Sequence, residues 1–176
     1  MFPKAHAAAN VMMAFRIAYF KVNYPLAYYA AFFSIRAKAF NYELMCLGKE
    51  RLEYYMKEIR RMENPSPKDQ DSLGDMKIVQ EMYARGFEFE PIDIYRANAT
   101  RFQIIDGKLM PALNTIDGMG DKAAEQVVEA AKDGPFLSKD DFRIRTKVSK
   151  TVIDTMSDLG LLGDLPESNQ LSLFDL

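Results

Sequence analysis

The sequence predicts a mainly α protein with one small β-hairpin. Three observations predict it. Apolar residues recur at helical spacing through most of the chain. The dipeptide Asp106-Gly107 stands between two short apolar runs, as in a two-residue hairpin loop. Capping and stopping residues fall near the ends of the periodic segments. A chain of 176 residues suffices for one ordinary domain or two small ones.

The elements follow in order. Residues 4–22 read as a helix with Val11, Ala14, Phe15, Ala18 and Tyr19 along one side. Asn23-Tyr24-Pro25 interrupts it, because a residue before proline is pushed out of the α region. Pro25 then opens a second helix, to about Arg36. Leu47, Leu52, Tyr55, Met56, Ile59 and Met62 mark an amphipathic helix, with Glu53 and Lys57 as an i,i+4 pair. Residues 63–74 read as a polar loop, on Pro65, Pro67 and their charges. Asp75 is the expected cap of a helix ending at Arg85, with Gly86 as its stop. Phe87-Glu88-Phe89 alternates, and Phe102–Ile105 and Lys108–Leu113 form the hairpin arms. Residues 121–131 are helical, with Ala124, Val127, Val128 and Ala131 on the apolar side and Gly134 at the end. Ser138 with Asp141 opens a short helix as a capping box, and Ser149 caps another that runs to Leu159. No internal repeat is evident. The helical first part gives way to a mixed second part near 64–74 or 86–90.

Net charge is −2, but the charges are segregated. Residues 1–42 carry Lys4, Arg16, Lys21, Arg36 and Lys38 and no acid. Residues 151–176 carry five acids and no Lys or Arg. A basic head and an acidic tail predict different partners for the two ends. Cys46 is the single cysteine, which excludes an intrachain disulfide and fits a reducing compartment. No CxxC and no ligand cluster accompanies the one histidine, His6, and no secretory signal is evident. The longest uncharged run, Val22–Ile35, contains Pro25 and is shorter than the ~20 residues of a membrane span. It is expected as buried helix, with no membrane partner.

Three features carry chemistry. In Ile116-Asp117-Gly118-Met119-Gly120, two glycines permit a tight turn and close approach of another backbone. The N-terminal N–H groups of the helix that follows, with Lys122 nearby, would suit a phosphate oxygen. The turn resembles a helix-hairpin-helix motif, which holds a nucleic-acid backbone without reading sequence. The alternative is an ordinary turn before a helix. A P-loop is excluded because no Gly-Lys-Ser/Thr closes the loop, and position 123 is Ala where a dinucleotide fingerprint needs glycine. At the head, Lys4 and His6 among small residues could meet phosphate, or be a solvated lysine and a structural histidine. The aromatics Phe15, Tyr19, Phe20, Tyr24, Tyr28, Tyr29, Phe32 and Phe33, with Met12, Met13 and Met45, read as core before base-stacking platforms. At the tail, Gln170, Leu171, Ser172, Leu173 and Phe174 place three large apolar side chains after a polar spacer, as either frayed core or a docking peptide.

Taken in order, these pieces resemble bacterial replicative DNA polymerase III α subunits of the PolC type. The opening Met-Phe-Pro-Lys-Ala-His-Ala-Ala-Ala, Ala18–Lys21 and Tyr24–Ala31 look like the fingers region. Pro91–Arg96 and Ala97–Thr100 are similar to the approach to its duplex-binding region, and Ile116–Gly120 to its helix-hairpin-helix. Phe136–Phe142 and Lys147–Thr151 continue the match, and Gln170–Phe174 resembles its sliding-clamp-binding pentapeptide.

The resemblance implies partial fingers over 1–86, helical; a duplex-binding region over 87–163 with the β-hairpin and helix-hairpin-helix; and a flexible acidic tail over 164–176. It implies phosphate-binding roles, for DNA or nucleotide, at Lys4, His6, Gly118, Met119, Gly120 and Lys122. Clamp-binding roles would fall to Gln170, Leu171, Ser172, Leu173 and Phe174. The implied partners are double-stranded primer-template DNA and the sliding clamp, in the bacterial cytoplasm at the nucleoid. The family's palm, with its catalytic aspartates, and its exonuclease and PHP domains lie upstream of the matched segment. The chain is therefore expected to be a fragment or truncated frame of a polymerase, with no catalytic residue, no metal site and no cofactor of its own. Mg²⁺ is expected only in the complete polymerase, and no polymerisation by this chain alone. The alternatives are a stand-alone, non-enzymatic DNA-binding clamp adaptor and, on the aromatic run alone, a membrane-associated helical protein.

Overall fold

The computed structural model describes residues 3–168. Among them the fold is mainly helical with one two-stranded antiparallel hairpin. Helix α1 (Lys4–Asn23) ends where Tyr24 leaves the α region, and α2 (Pro25–Ile35) starts with proline at its first position. A short α3 (Tyr42–Met45) is capped by Asn41, whose side chain accepts from Leu44 N. Helix α4 spans Lys49–Arg61 and buries Leu52, Met56 and Ile59, one side of the expected amphipathic pattern. Glu53 lies 3.9 Å from Lys49, one turn before it, where the sequence suggested Lys57, one turn after it.

Of the expected loop 63–74, residues 63–66 are irregular and residues 67–74 are helical. Helix α5 runs over Pro67–Ala84, because Ser66 and Asp69 form a capping box and Pro67 occupies the first turn. The same prolines and charges that read as loop are start signals. Asp75 lies inside α5 and is not its cap. Its carboxylate turns inward and accepts from Lys38 N at 3.0 Å and Ala39 N at 2.9 Å.

Strands β1 (Gln103–Ile105) and β2 (Lys108–Met110) pair with Ile104 opposite Leu109. Asp106 and Gly107 both take positive φ, as the tight loop demands. Phe89 adds a single parallel bridge to Leu109. A 3-10 turn, Leu113–Thr115, precedes α6 (Asp121–Lys132), α7 (Lys139–Thr146) and α8 (Lys150–Asp158). Ser138 and Ser149 cap the last two helices as expected.

Two apolar clusters hold these elements. The first joins Tyr29 and Phe33 of α2 to Leu52, Met56, Met76, Val79 and Met82 of α4 and α5, with Phe89, Phe102 and Leu109. The second gathers Met110, Ile116, Met119, Ala124, Val127, Phe142, Val152 and Met156 around the three last helices. Strand alternation sends Leu109 into one cluster and Met110 into the other, so packing runs across residue 86. Phe102 N donates to Ser34 Oγ at 2.9 Å and fixes the hairpin on α2.

Helix α1 departs from expectation, because it contains no buried residue. Phe15 is 72% exposed, and Met12, Met13, Tyr19, Phe20 and Tyr24 are each more than half exposed. Of the residues expected as core, Tyr29, Phe33 and Met45 are buried, and Tyr28 and Phe32 are partly buried. The cause is geometric: α1 packs on α2, and its outer side meets solvent. Val22 and Ile35, at the ends of the uncharged run, are also exposed. No helix among the described residues is long and apolar enough to cross a membrane.

Candidate nucleic-acid interface

The Ile116–Gly120 segment folds as a β-turn. Met119 N donates to Ile116 O at 3.0 Å, and Gly118 takes φ +76°, a conformation that suits glycine at the third turn position. Both ends are anchored, with Ile116 and Met119 buried. Asp117, Gly118 and Gly120 are exposed.

The two glycines differ. A Cβ on Gly118 would stand 3.1 Å from Val152 Cγ2, so α8 presses on the turn from below. Gly120 has an ordinary φ of −77°, and a Cβ there would meet nothing within 4 Å. The open side of the turn is therefore at Gly120. It is also the N-cap of α6 and supplies no side-chain acceptor, so the first-turn N–H groups of that helix have no capping partner. Lys122 stands exposed in that turn. The Met119 side chain is core and its N–H is occupied, so Met119 holds the turn rather than offering a donor.

A second turn of the same kind lies close by, contrary to the sequence reading, which saw no repeat. Lys147 takes φ +58°, Val148 is buried, Ser149 is the N-cap, and α8 follows. The order repeats that of Gly118, Met119, Gly120 and α6: positive φ, buried apolar residue, cap, helix. Lysine replaces glycine at the positive-φ position, so composition hid the repeat. The pattern Val148-Ser149-Lys150 beside Met119-Gly120-Asp121 was its only sequence signal. Lys147 and Lys150 are exposed.

A groove of about 420 Å³ runs beside the first turn, lined by residues 114–120 on one wall and by Lys38–Asn41 and Lys68 on the other. Sequence reasoning missed Lys38 and Lys68, because they lie about 50 to 80 positions from the turn. The acids nearby are Asp117, Asp121 and Asp71; Asp121 accepts from Asn114 Nδ2 at 2.9 Å, and Asp71 lies 3.4 Å from Lys38 Nζ. Behind the wall, burial pushes the Asp75 carboxyl up, against the lowering effect of the Ala39 and Lys38 N–H groups.

Lys4 and His6 are exposed in the first turn of α1, at the opposite end from its anchor on α5, and do not line this groove. That anchor is a polar network. Lys21 Nζ and Tyr29 Oη each reach a Glu81 oxygen at 2.8 Å, and Arg85 donates to Tyr29 Oη at 3.1 Å and Lys21 O at 3.0 Å. Gln170, Leu171, Ser172, Leu173 and Phe174 lie outside the described residues. Among the described residues, no three His, Cys, Asp or Glu side chains converge as a metal site.

Paired turns, each leading through a buried anchor into a helix, define a helix-hairpin-helix module, and the helix-hairpin-helix motif family matches residues 86–171. Over 99% of its length the chain is also similar to proteins described as DNA polymerase III PolC-type. It is 49% identical to that of Caldanaerobacter subterraneus subsp. tengcongensis over 175 residues, and 49% to that of Streptococcus sanguinis over 178. Identity to the Clostridium perfringens protein is 48% over 175 residues. The chain is thus similar to one segment of the PolC-type DNA polymerase III sequences. It spans 12% of the length of these relatives.

Proposed function

We propose that this polypeptide is a DNA-holding segment of a PolC-type DNA polymerase, gripping the duplex backbone through its two helix-hairpin-helix turns. The observation that carries the reading is the open, uncapped N-terminus of α6 at Gly120, in a chain whose relatives are DNA polymerases. A phosphate oxygen placed there would accept from first-turn N–H groups and gain from the helix dipole and Lys122. One turn-repeat away Ser149 caps α8, and there Lys147 and Lys150 offer their charges to a phosphate. Backbone donors and lysines recognise phosphate and carry no base information, so the grip is sequence-independent. Lys4 and His6 would meet phosphate, of nucleotide or DNA, separately from this surface.

The carboxyl-terminal Gln170-Leu171-Ser172-Leu173-Phe174 is proposed to dock on a sliding clamp. Glutamine would occupy a polar site, and the leucines and phenylalanine an apolar pocket. Burial of each large apolar side chain favours docking by roughly 1.5–3 kcal/mol, and ordering the peptide offsets much of it. Affinity on the order of micromolar is expected. Synthesis by this chain alone is not expected, because residues 1–42 hold no carboxylate that could bind the metals of phosphoryl transfer.

Gly120→Val tests the grip. A Cβ there meets nothing within 4 Å of the protein, and the side chain fills the space where a phosphate would approach. Duplex affinity should fall while the thermal midpoint stays put. A folded variant that binds duplex as tightly as the parent would reduce the hairpin to a turn. For the tail, Leu173→Ala with Phe174→Ala should abolish clamp binding and leave DNA affinity unchanged.

A further inference from the structure

The groove beside the hairpin has a second wall that no helix-hairpin-helix supplies. We propose that the nucleic-acid strand held at Gly120 runs through this groove, where Lys38 and Lys68 neutralise its phosphates from the first half of the chain. The inference rests on the hairpin reading above and extends it to residues of a different part of the sequence.

Placement of the two lysines supports it. Lys38 follows α2 in an irregular stretch that could take many conformations, yet its backbone is pinned. Asp75, only 6% exposed, accepts from both Lys38 N and Ala39 N. A buried carboxylate holding two backbone amides fixes where the Lys38 stem begins while its side chain remains 73% exposed. Lys68 is fixed differently. It is the second residue of α5, directly after Pro67 and inside the Ser66–Asp69 capping box. Both lysines therefore project from rigid anchors into the groove that the hairpin lines.

The charges facing the groove select the occupant. Lys38 pairs with Asp71 at 3.4 Å, but both side chains are well exposed, and such a pair is weak and readily exchanged for a phosphate. Asp121 accepts from Asn114 and keeps its charge beside Asp117 at the tip of the turn, so the lysines on the facing wall offset these two carboxylates. Cations thus face uncapped amide N–H groups across the groove, with Gly120 leaving room between. Two separated cationic anchors and one amide cluster suit successive phosphates of a strand better than one small anion.

The test uses the full chain and a short random-sequence duplex, titrated at several salt concentrations. Lys38→Ala with Lys68→Ala should lower the slope of log affinity against log salt by about 2, one counterion for each lysine. Affinity should fall about tenfold at low salt, with no change in thermal midpoint. Lys38→Arg with Lys68→Arg should restore both quantities. Lys132→Ala, at the far end of α6, should change neither. If Gly120→Val weakens binding and the double alanine variant matches the parent in slope and affinity, the groove carries no strand and the hairpin reading stands alone. If Gly120→Val binds as the parent does, the hairpin reading fails and this inference with it.

Discussion

Gly118 and Gly120 stand two positions apart and meet different demands. Gly118 is fixed by the fold: its φ of +76° and the nearby Val152 methyl both exclude a side chain. Gly118→Ala should destabilise the protein by about 1–2 kcal/mol, the cost of a left-handed residue, and lower the thermal midpoint. Gly120 has neither constraint: its φ is −77° and a Cβ there would meet nothing within 4 Å, which leaves room for the phosphate of the proposed grip. The sequence alone gave both glycines one role, because φ cannot be read from a G-x-G string. Asp75 shows the same limit: an acid before an apolar run reads as a cap until a distant backbone is seen to need it. Asp75→Ala leaves two amides of residues 38 and 39 without their acceptor and should cost about 1–3 kcal/mol. Asp75→Asn keeps an acceptor and should cost less. Because the folded-state pKa of Asp75 is raised above 3.8, its contribution is greatest below that value and is lost as pH rises through the folded pKa. Denaturant midpoints across that acid range should fall less with rising pH in Asp75→Asn than in the parent.

Among the elements, those with a local start signal were legible in the sequence. The breaks at Tyr24-Pro25, the Asp106-Gly107 loop and the serine caps at 138 and 149 all stand where local chemistry puts them. Helix α5 was half missed, since Pro65 and Pro67 outweighed the Ser66–Asp69 box in the reading. The elbow between α1 and α2 depends on contacts that no local pattern reveals. Burial alone would raise the Glu81 carboxyl, but hydrogen bonds from Lys21 and Tyr29 and the charges of Lys21 and Arg85 outweigh it and lower it. The Tyr29 hydroxyl is pushed up to about 12, mainly by burial, with Glu81 adding to the effect and Arg85 opposing it. A depressed carboxyl contributes stability above its ordinary value of 4.5 and loses it as pH falls through the folded pKa. Acidification, or Glu81→Gln at neutral pH, should speed hydrogen exchange in the last turn of α1 while leaving the core helices protected. At the other end of the fold, Arg145 donates to the carbonyls of Ala130, Gly134 and Pro135 and lies over the Phe136 ring. Arg145→Ala should cost about 1.5–3 kcal/mol, read from denaturant unfolding.

At the scale of the whole molecule, the two apolar clusters meet along β2, so the helical first part and the hairpin module support each other. The exception is α1. Its side of Val11, Ala14, Phe15, Ala18 and Tyr19 was read from the sequence as helical, with the aromatics as core, and the helix is there. Its burial could not be read, because periodicity says that a face is apolar and not what covers it. A patch of this kind promotes association. Phe15→Ser with Tyr19→Ser should reduce concentration-dependent self-association in sedimentation runs and leave the thermal midpoint close to that of the parent. The central claim, that this chain grips nucleic-acid backbone without reading bases, meets its most direct test in one titration. Two duplexes of equal length and unrelated sequence are each bound across a range of salt concentrations. The account predicts coincident affinities and a linear fall of log affinity with log salt, reflecting counterions released by phosphate contacts. Affinities that differ between the duplexes, or that do not respond to salt, would contradict it.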